Sequence, residues 1–182
     1  MTLNRRTLLT TGAALPFAGL AAGTARAEAP MMGASMANHR RFMIGDFEVT
    51  TILAGTAPRE NPQGIFGMNV SEEEFATVSE QNFLATDVSN FFFTPTLVNT
   101  GSELVLFDTG LNGPATVAAI ASAGYTPDQV DIIVLTHMHG DHIGGLLTDG
   151  MPTFPNARYV AGQVEYDHWA GAENERFEAN VR

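Results

Sequence analysis

The sequence contains no cysteine, and all nine of its basic residues are arginine. Without cysteine there is no disulfide, no thiolate nucleophile and no thiolate metal ligand. Any metal must be held by imidazole, carboxylate or backbone oxygen. Without lysine there is no Schiff-base amine and no P-loop phosphate clamp. Positive charge is scarce altogether: nine arginines face 20 Asp and Glu, a formal net charge of -11. Such a chain repels phosphate and has few cations with which to release counterions, which argues against nucleic-acid binding. No Gly-x-Gly-x-x-Gly motif marks a dinucleotide site. What is there is a 45% hydrophobic composition over 182 residues, enough for one globular core.

The apolar run from Leu8 to Ala25 is broken by Gly12, Pro16, Gly19 and Gly23. It follows Arg5-Arg6 and closes on Ala25-Arg26-Ala27, an A-x-A cleavage pattern. The order of basic, apolar and small-residue regions is that of an export signal rather than a membrane anchor. The paired arginines point to the twin-arginine route. Residues 1–27 are therefore expected to direct the protein to the periplasm or medium, with no stable membrane span after cleavage. Residues 28–40 read as a flexible leader, and residues 41–182 as the domain.

Within the domain, strands and helices alternate, which argues an α/β class. Phe42 to Leu53 reads as two strands turning at Gly45-Asp46. Residues 55–69 read as loop. Ser71 and Glu74 have capping-box spacing, predicting a helix over 72–79 with Glu72, Glu73 and Glu74 as its solvated first turn. Residues 81–95 read as irregular. Thr96 to Asp108 predicts a hairpin turning at Gly101-Ser102. A helix is expected over 114–123, with Pro114 near its start and Gly124 past its end. Asp131 to Thr136 is a continuous apolar run of buried-strand type. A short strand over 157–161, a helix over Gln163 to Ala170 and a polar helix over 173–182 complete the reading.

The chemistry concentrates in Thr136-His137-Met138-His139-Gly140-Asp141-His142-Ile143-Gly144-Gly145. Three imidazoles and a carboxylate fall within six residues, straight after a buried strand. These donors suit borderline divalent ions such as zinc. In extended backbone His137 and His139 point to one side and Met138 to the other. Gly140 lets the chain turn, so that Asp141 and His142 at a helix start can face a second ion.

This string resembles the metallo-β-lactamase superfamily, whose hallmark is His-x-His-x-Asp-His. The flanks Thr96 to Gly110 and Gly124 to His137 are similar too, as are Phe154-Pro-Asn-Ala157 and Glu165-Tyr-Asp-His-Trp169. Within the superfamily the chain looks most like organophosphate hydrolases of the methyl parathion hydrolase type and related lactonases. The resemblance implies the first half of a four-layer αββα sandwich. It implies that His137 and His139 hold one metal ion, that Asp141 and His142 hold a second, and that Asp108 supports the site from behind. Asp141 is also the residue to which it assigns a catalytic part. Two zinc ions would share a bridging hydroxide that attacks a lactone or an organophosphate-type ester.

Ligands that complete both sites in such enzymes do not follow His142 here. The expectation is an N-terminal part of the fold, with an exposed inner sheet face that a partner or a second copy of the chain could cover. The alternative function is a catalytically inactive truncated fragment or a non-catalytic metal-binding module. Outside the string, Phe91-Phe92-Phe93 reads as core packing beside the hairpin, with an apolar substrate wall as the other possibility. Trp169 reads as a packing anchor, and His39 and His168 have no metal role.

Overall fold

The structure is a computed structural model that describes residues 37–182. The expected export signal at 1–27 lies outside the described residues. Among those described, no helix is long and apolar enough to cross a membrane.

A six-stranded mixed sheet carries the domain. Its strands are β1 (His39–Ile44), β2 (Phe47–Ile52), β5 (Thr96–Asn99), β6 (Leu104–Phe107), β7 (Ile132–Leu135) and β10 (Arg158–Ala161), in the order β1-β2-β5-β6-β7-β10. The first four neighbours pair antiparallel, and tight turns at Gly45 and Gly101, both with positive φ, join β1 to β2 and β5 to β6. β6, β7 and β10 pair parallel. Parallel neighbours need a crossover. The helix α3 (Gly113–Ser122) supplies one between β6 and β7, and its Asn112 side chain caps it by accepting from the Ala115 N–H at 2.9 Å.

Register explains the core. Leu97, Leu106 and Ile133 align across three strands and point to one face. All three are at most 1% exposed, and they pack with Ile120 of α3, Met138, Ile143, Phe154 and Phe177. The opposite face carries Val98, Val105, Phe107 and Val134, which are only half-buried. The expected uncovered sheet face is therefore present in partial form. At the end of the sheet every residue of β10 is exposed, Tyr159 and Val160 included.

Most expected elements are present. The helix α2 (Glu72–Gln81) is capped by Ser71, whose Oγ accepts from the Glu74 N–H at 3.1 Å, and its three glutamates are exposed. The helix α5 (Gln163–Ala170) also lies where expected, and a capped 3-10 turn at Pro127–Gln129 leads into β7.

Two expectations fail. Residues 55–69 are not all loop: they hold β3 (Gly55–Glu60) and the short helix α1 (Gln63–Phe66). Residues 81–95 are not all irregular: β4 (Val88–Phe93) pairs antiparallel with β3 along its whole length. The two strands are 28 residues apart at their outer pair, Glu60 and Val88, so no tight-turn signal announces them. The C-terminal helix α6 (Glu175–Asn180) is polar except for Phe177, which is fully buried and anchors it. Two small elements remain: the helix α4 (Gly140–Ile143), and a hairpin of β8 (Leu147–Thr148) and β9 (Met151–Pro152).

Truncating the aligned row should expose its weight. Leu106→Ala is expected to cost about 2–5 kcal/mol of stability, because the fully buried side chain leaves a cavity. Leu84→Ala, at a side chain 64% exposed, should stay within about 0.5 kcal/mol. Urea unfolding of both variants checks the contrast.

Candidate metal centre

The segments after β6 and β7 leave the same end of the sheet, because the two strands are parallel neighbours. That end, beyond the carboxyl termini of parallel strands, is where α/β sheets place their chemistry. Asp108 follows β6 and His137 to His142 follow β7.

Asp108 joins the two loops. Its backbone takes φ +61°, in the left-handed region that Asp tolerates better than most residues. Its N–H continues the ladder to the Val134 carbonyl at 3.0 Å. The carboxylate then accepts from the Thr136 N–H at 2.9 Å, the Thr136 hydroxyl at 2.8 Å and His142 Nδ1 at 2.8 Å. A carboxylate only accepts, so Nδ1 of His142 donates to it, and Nε2 is the ring nitrogen left toward Asp141. Asp141 Oδ2 lies 3.5 Å from that Nε2.

Thr109 clamps the other side of the turn. It is fully buried; its N–H and its hydroxyl both donate to the His142 carbonyl, each at 2.8 Å, and its Oγ1 accepts from the Gly145 N–H at 3.1 Å. The paired glycines that end the motif are needed here. A Cβ at Gly145 would overlap the Thr109 carbonyl, and one at Gly144 the Leu111 carbonyl.

The imidazoles cluster as the alternation predicts. Met138 is 1% exposed and packs inward, while His137 and His139 turn out together with ring centroids 4.6 Å apart. His137 and His142 are 3.8 Å apart. Burial first, and then the neighbouring His142 and His139, lower the His137 pKa below 6.5, against a smaller pull from Asp108 and Asp141. A neutral imidazole is the form that binds metal. The donor set thus fits a divalent ion in type, protonation and proximity. The rings meet one another, however. Among the described residues no three His, Asp or Glu side chains are already set around one point.

Two further residues hold the motif and were not assigned this part from sequence. Glu165 on α5 accepts from the Met138 N–H at 2.9 Å and from Trp169 Nε1 at 2.6 Å. The Met138 hydrogen bond is the chief cause of a Glu165 pKa below its usual range. Trp169 in turn stands edge-on to His139, centroids 5.6 Å apart, so it is more than a packing anchor for its own helix. The spacing of Glu165 and Trp169, four apart on a helix, was the available signal. His168 contacts Trp169, and His39 opens β1 on the far side of the sheet order from β7.

The Phe91-Phe92-Phe93 strand corrects a core assignment. None of the three is buried, and Phe92 is 57% exposed. In β4 their side chains alternate outward from a two-stranded hairpin that has no third strand to cover it. Phe92, Phe93 and Pro95 wall a cleft of about 140 Å³ that reaches Asp108, Asp141 and His142.

Comparison with known proteins agrees with this geometry. Residues 94–175, which contain Asp108, the histidine string, Glu165 and Trp169, match the family described as the Metallo-beta-lactamase superfamily. Over that segment, and in its fold, the chain resembles the metallo-β-lactamase superfamily. Among curated relatives, the anti-Pycsar protein Apyc1 of Paenibacillus is 34% identical over 56 residues, covering 31% of this chain and 22% of its own. The lactamase-like protein nscB of Trichophyton equinum is 41% identical over 51 residues, covering 28% of this chain and 15% of its own. Among solved structures, the chain resembles one described as "AidC, a Dizinc Quorum-Quenching Lactonase, in complex with a product N-hexnoyl-L-homoserine", with 26% identity and a TM-score of 0.69. The match covers 75% of this chain and 48% of that one. A structure of "hydrolase AbOPH in beta lactamase superfamily" matches with 27% identity and a TM-score of 0.66 over the same shares. The α/β class expected from sequence is thus the fold found, and the chain spans about half the length of these structures.

Two predictions follow from the supports of this superfamily site. Asp108→Asn and Glu165→Ala should each weaken divalent-metal binding by about 10- to 100-fold, as lost partners of ligating residues do, measured by competition with a chelator. In metal-free protein the His137 ring should titrate below 6.5 by NMR. The unfolded chain then takes that proton first, so the cluster costs stability as pH falls below 6.5 through the lowered folded value. A midpoint above 6.5 would contradict the burial argument.

Proposed function

We propose that the chain carries the first metal-holding half of an exported, dinuclear zinc hydrolase acting on a lactone or an organophosphate-type ester. The observation that carries this is the imidazole cluster of His137, His139 and His142, beside Asp141 and anchored by Asp108 at the ends of parallel β6 and β7. The likeness to a dizinc lactonase at 26% identity supports the metal and the substrate class. The unbroken order of Arg5-Arg6, apolar run and Ala25-Arg26-Ala27 supports export.

In this reading His137 and His139 would hold one ion, and Asp141 and His142 the other. Bound zinc supplies Lewis acidity at a carbonyl or phosphoryl oxygen and lowers the pKa of water. The chain's own residues prepare that chemistry. Asp108 keeps a proton on His142 Nδ1, Glu165 fixes the backbone between His137 and His139, and Phe92 and Phe93 wall the cleft beside Asp141.

A second reading is a non-catalytic metal-binding module. It is favoured by the lack of a converged set of three ligands among the described residues. Zinc content by mass spectrometry, with hydrolysis of an N-acyl homoserine lactone and of a phosphotriester, separates the two. Near two zinc ions per chain with turnover, both lost in the His137→Ala, His139→Ala double variant, is the expected result. One weakly held ion without turnover of either substrate assigns the second reading instead.

A further inference from the structure

Positive charge is rare in this chain, and its placement is uneven. Of the six arginines among the described residues, Arg41, Arg158 and Arg182 pair with Glu48, Glu103 and Glu178. Arg40, Arg59 and Arg176 make no ion pair with another described residue. Arg59 and Arg176 share one cleft. It has a volume of about 310 Å³ and adjoins Asp141. They reach it from elements far apart in sequence, β3 and α6.

Both side chains are exposed and spring from fixed backbone. Arg59 sits inside the β3–β4 ladder, opposite Ser89. Arg176 opens α6, where the Asn174 side chain accepts from the Arg176 and Phe177 N–H groups at 3.1 and 3.0 Å and Phe177 is fully buried. The stem of Arg176 lies over Gly140, where a Cβ would overlap its Cδ. The cleft's other walls are apolar and include Ile65, Phe91 and Phe93. Phe91 is further stacked on Phe66, with centroids 5.6 Å apart.

We propose that this cleft is a binding site for a carboxylate carrying a medium-length apolar chain, with Arg59 and Arg176 taking the carboxylate and the phenylalanine wall taking the chain. Two guanidinium groups against the single Asp141 carboxylate leave one net positive charge, which suits a monoanion. Arginine is the side chain whose planar fork matches a carboxylate. The volume lies at the small end of ligand pockets, near 300 Å³. The binding step needs neither a metal nor turnover. Its connection to catalysis rests on the proposed hydrolase, because opening a lactone or carboxylic ester releases such an acid.

The test uses the full chain in the presence of a chelator, with octanoate and octanamide as probes, followed by calorimetry. Octanoate should bind at least fivefold more tightly than octanamide. Arg176→Gln and Arg59→Gln should each remove that preference and leave octanamide binding unchanged. Arg40→Gln, at an arginine of β1 outside the cleft, should change neither. Equal affinity for the two probes, no binding of octanoate, or an equal loss in Arg40→Gln overturns the proposal. None of these outcomes depends on zinc content or lactone turnover, so the site and the hydrolase reading fail separately.

Discussion

The carboxylate of Asp108 has three donors and no freedom left. Two come from Thr136, at the end of β7, and the third is Nδ1 of His142, at the start of α4. Because Asp108 itself ends β6, one side chain ties together two strand ends and the helix that follows. Each of those hydrogen bonds is charge-assisted, and such bonds are about twice as strong as neutral ones. They also set a tautomer. If the proton sat on Nε2 alone, the Nδ1 lone pair would face the Asp108 carboxylate at 2.8 Å. The position of His142, and through its carbonyl the position of Thr109 and Gly145, therefore follow from Asp108.

The sheet makes this tie possible. Parallel pairing of β6 with β7 puts their outgoing loops side by side, and α3 is the crossover that parallel pairing demands. An antiparallel pair would have sent the two loops to opposite ends. The motif is then braced from the other direction by α5, whose Glu165 reaches the Met138 N–H. Residues at 108, 138, 142 and 165 thus act together because of topology, not proximity in sequence.

The parts legible in the sequence are those with local signals. The alternation around Met138 placed His137 and His139 on one side, and the structure has Met138 buried between them. Ser71 and Asn112 cap helices whose bounds lie within about two residues of the expected ones. The β3–β4 pair was not legible. Its strands are separated by two helices, and Arg59 and Pro58 on β3 are poor strand markers, so only the fold brings them together. The same pairing turned Phe91 to Phe93 from supposed core into the wall of two clefts beside Asp141. Thr109 and Glu165 carried no motif of their own. Their parts are hydrogen bonds to backbone atoms, which a residue pattern does not record.

The charge of the whole chain and the charge of the site pull in opposite directions. A net charge of -11 attracts cations to the molecule as a whole. The cluster opposes it. Two imidazolium ions about 4 Å apart would repel by about 4 kcal/mol at an effective dielectric constant near 20. Acids scattered over the surface act across more than a Debye length of about 8 Å and are largely screened. The local effect therefore wins, and His137 stays below 6.5 through burial and its two neighbours. A divalent cation faces the reverse balance, since a neutral His137 ring does not repel it and the Asp141 carboxylate beside the cluster attracts it. With the distant acids screened, selection for an anionic ligand rests on contact with Arg59 and Arg176 in the cleft rather than on long-range steering.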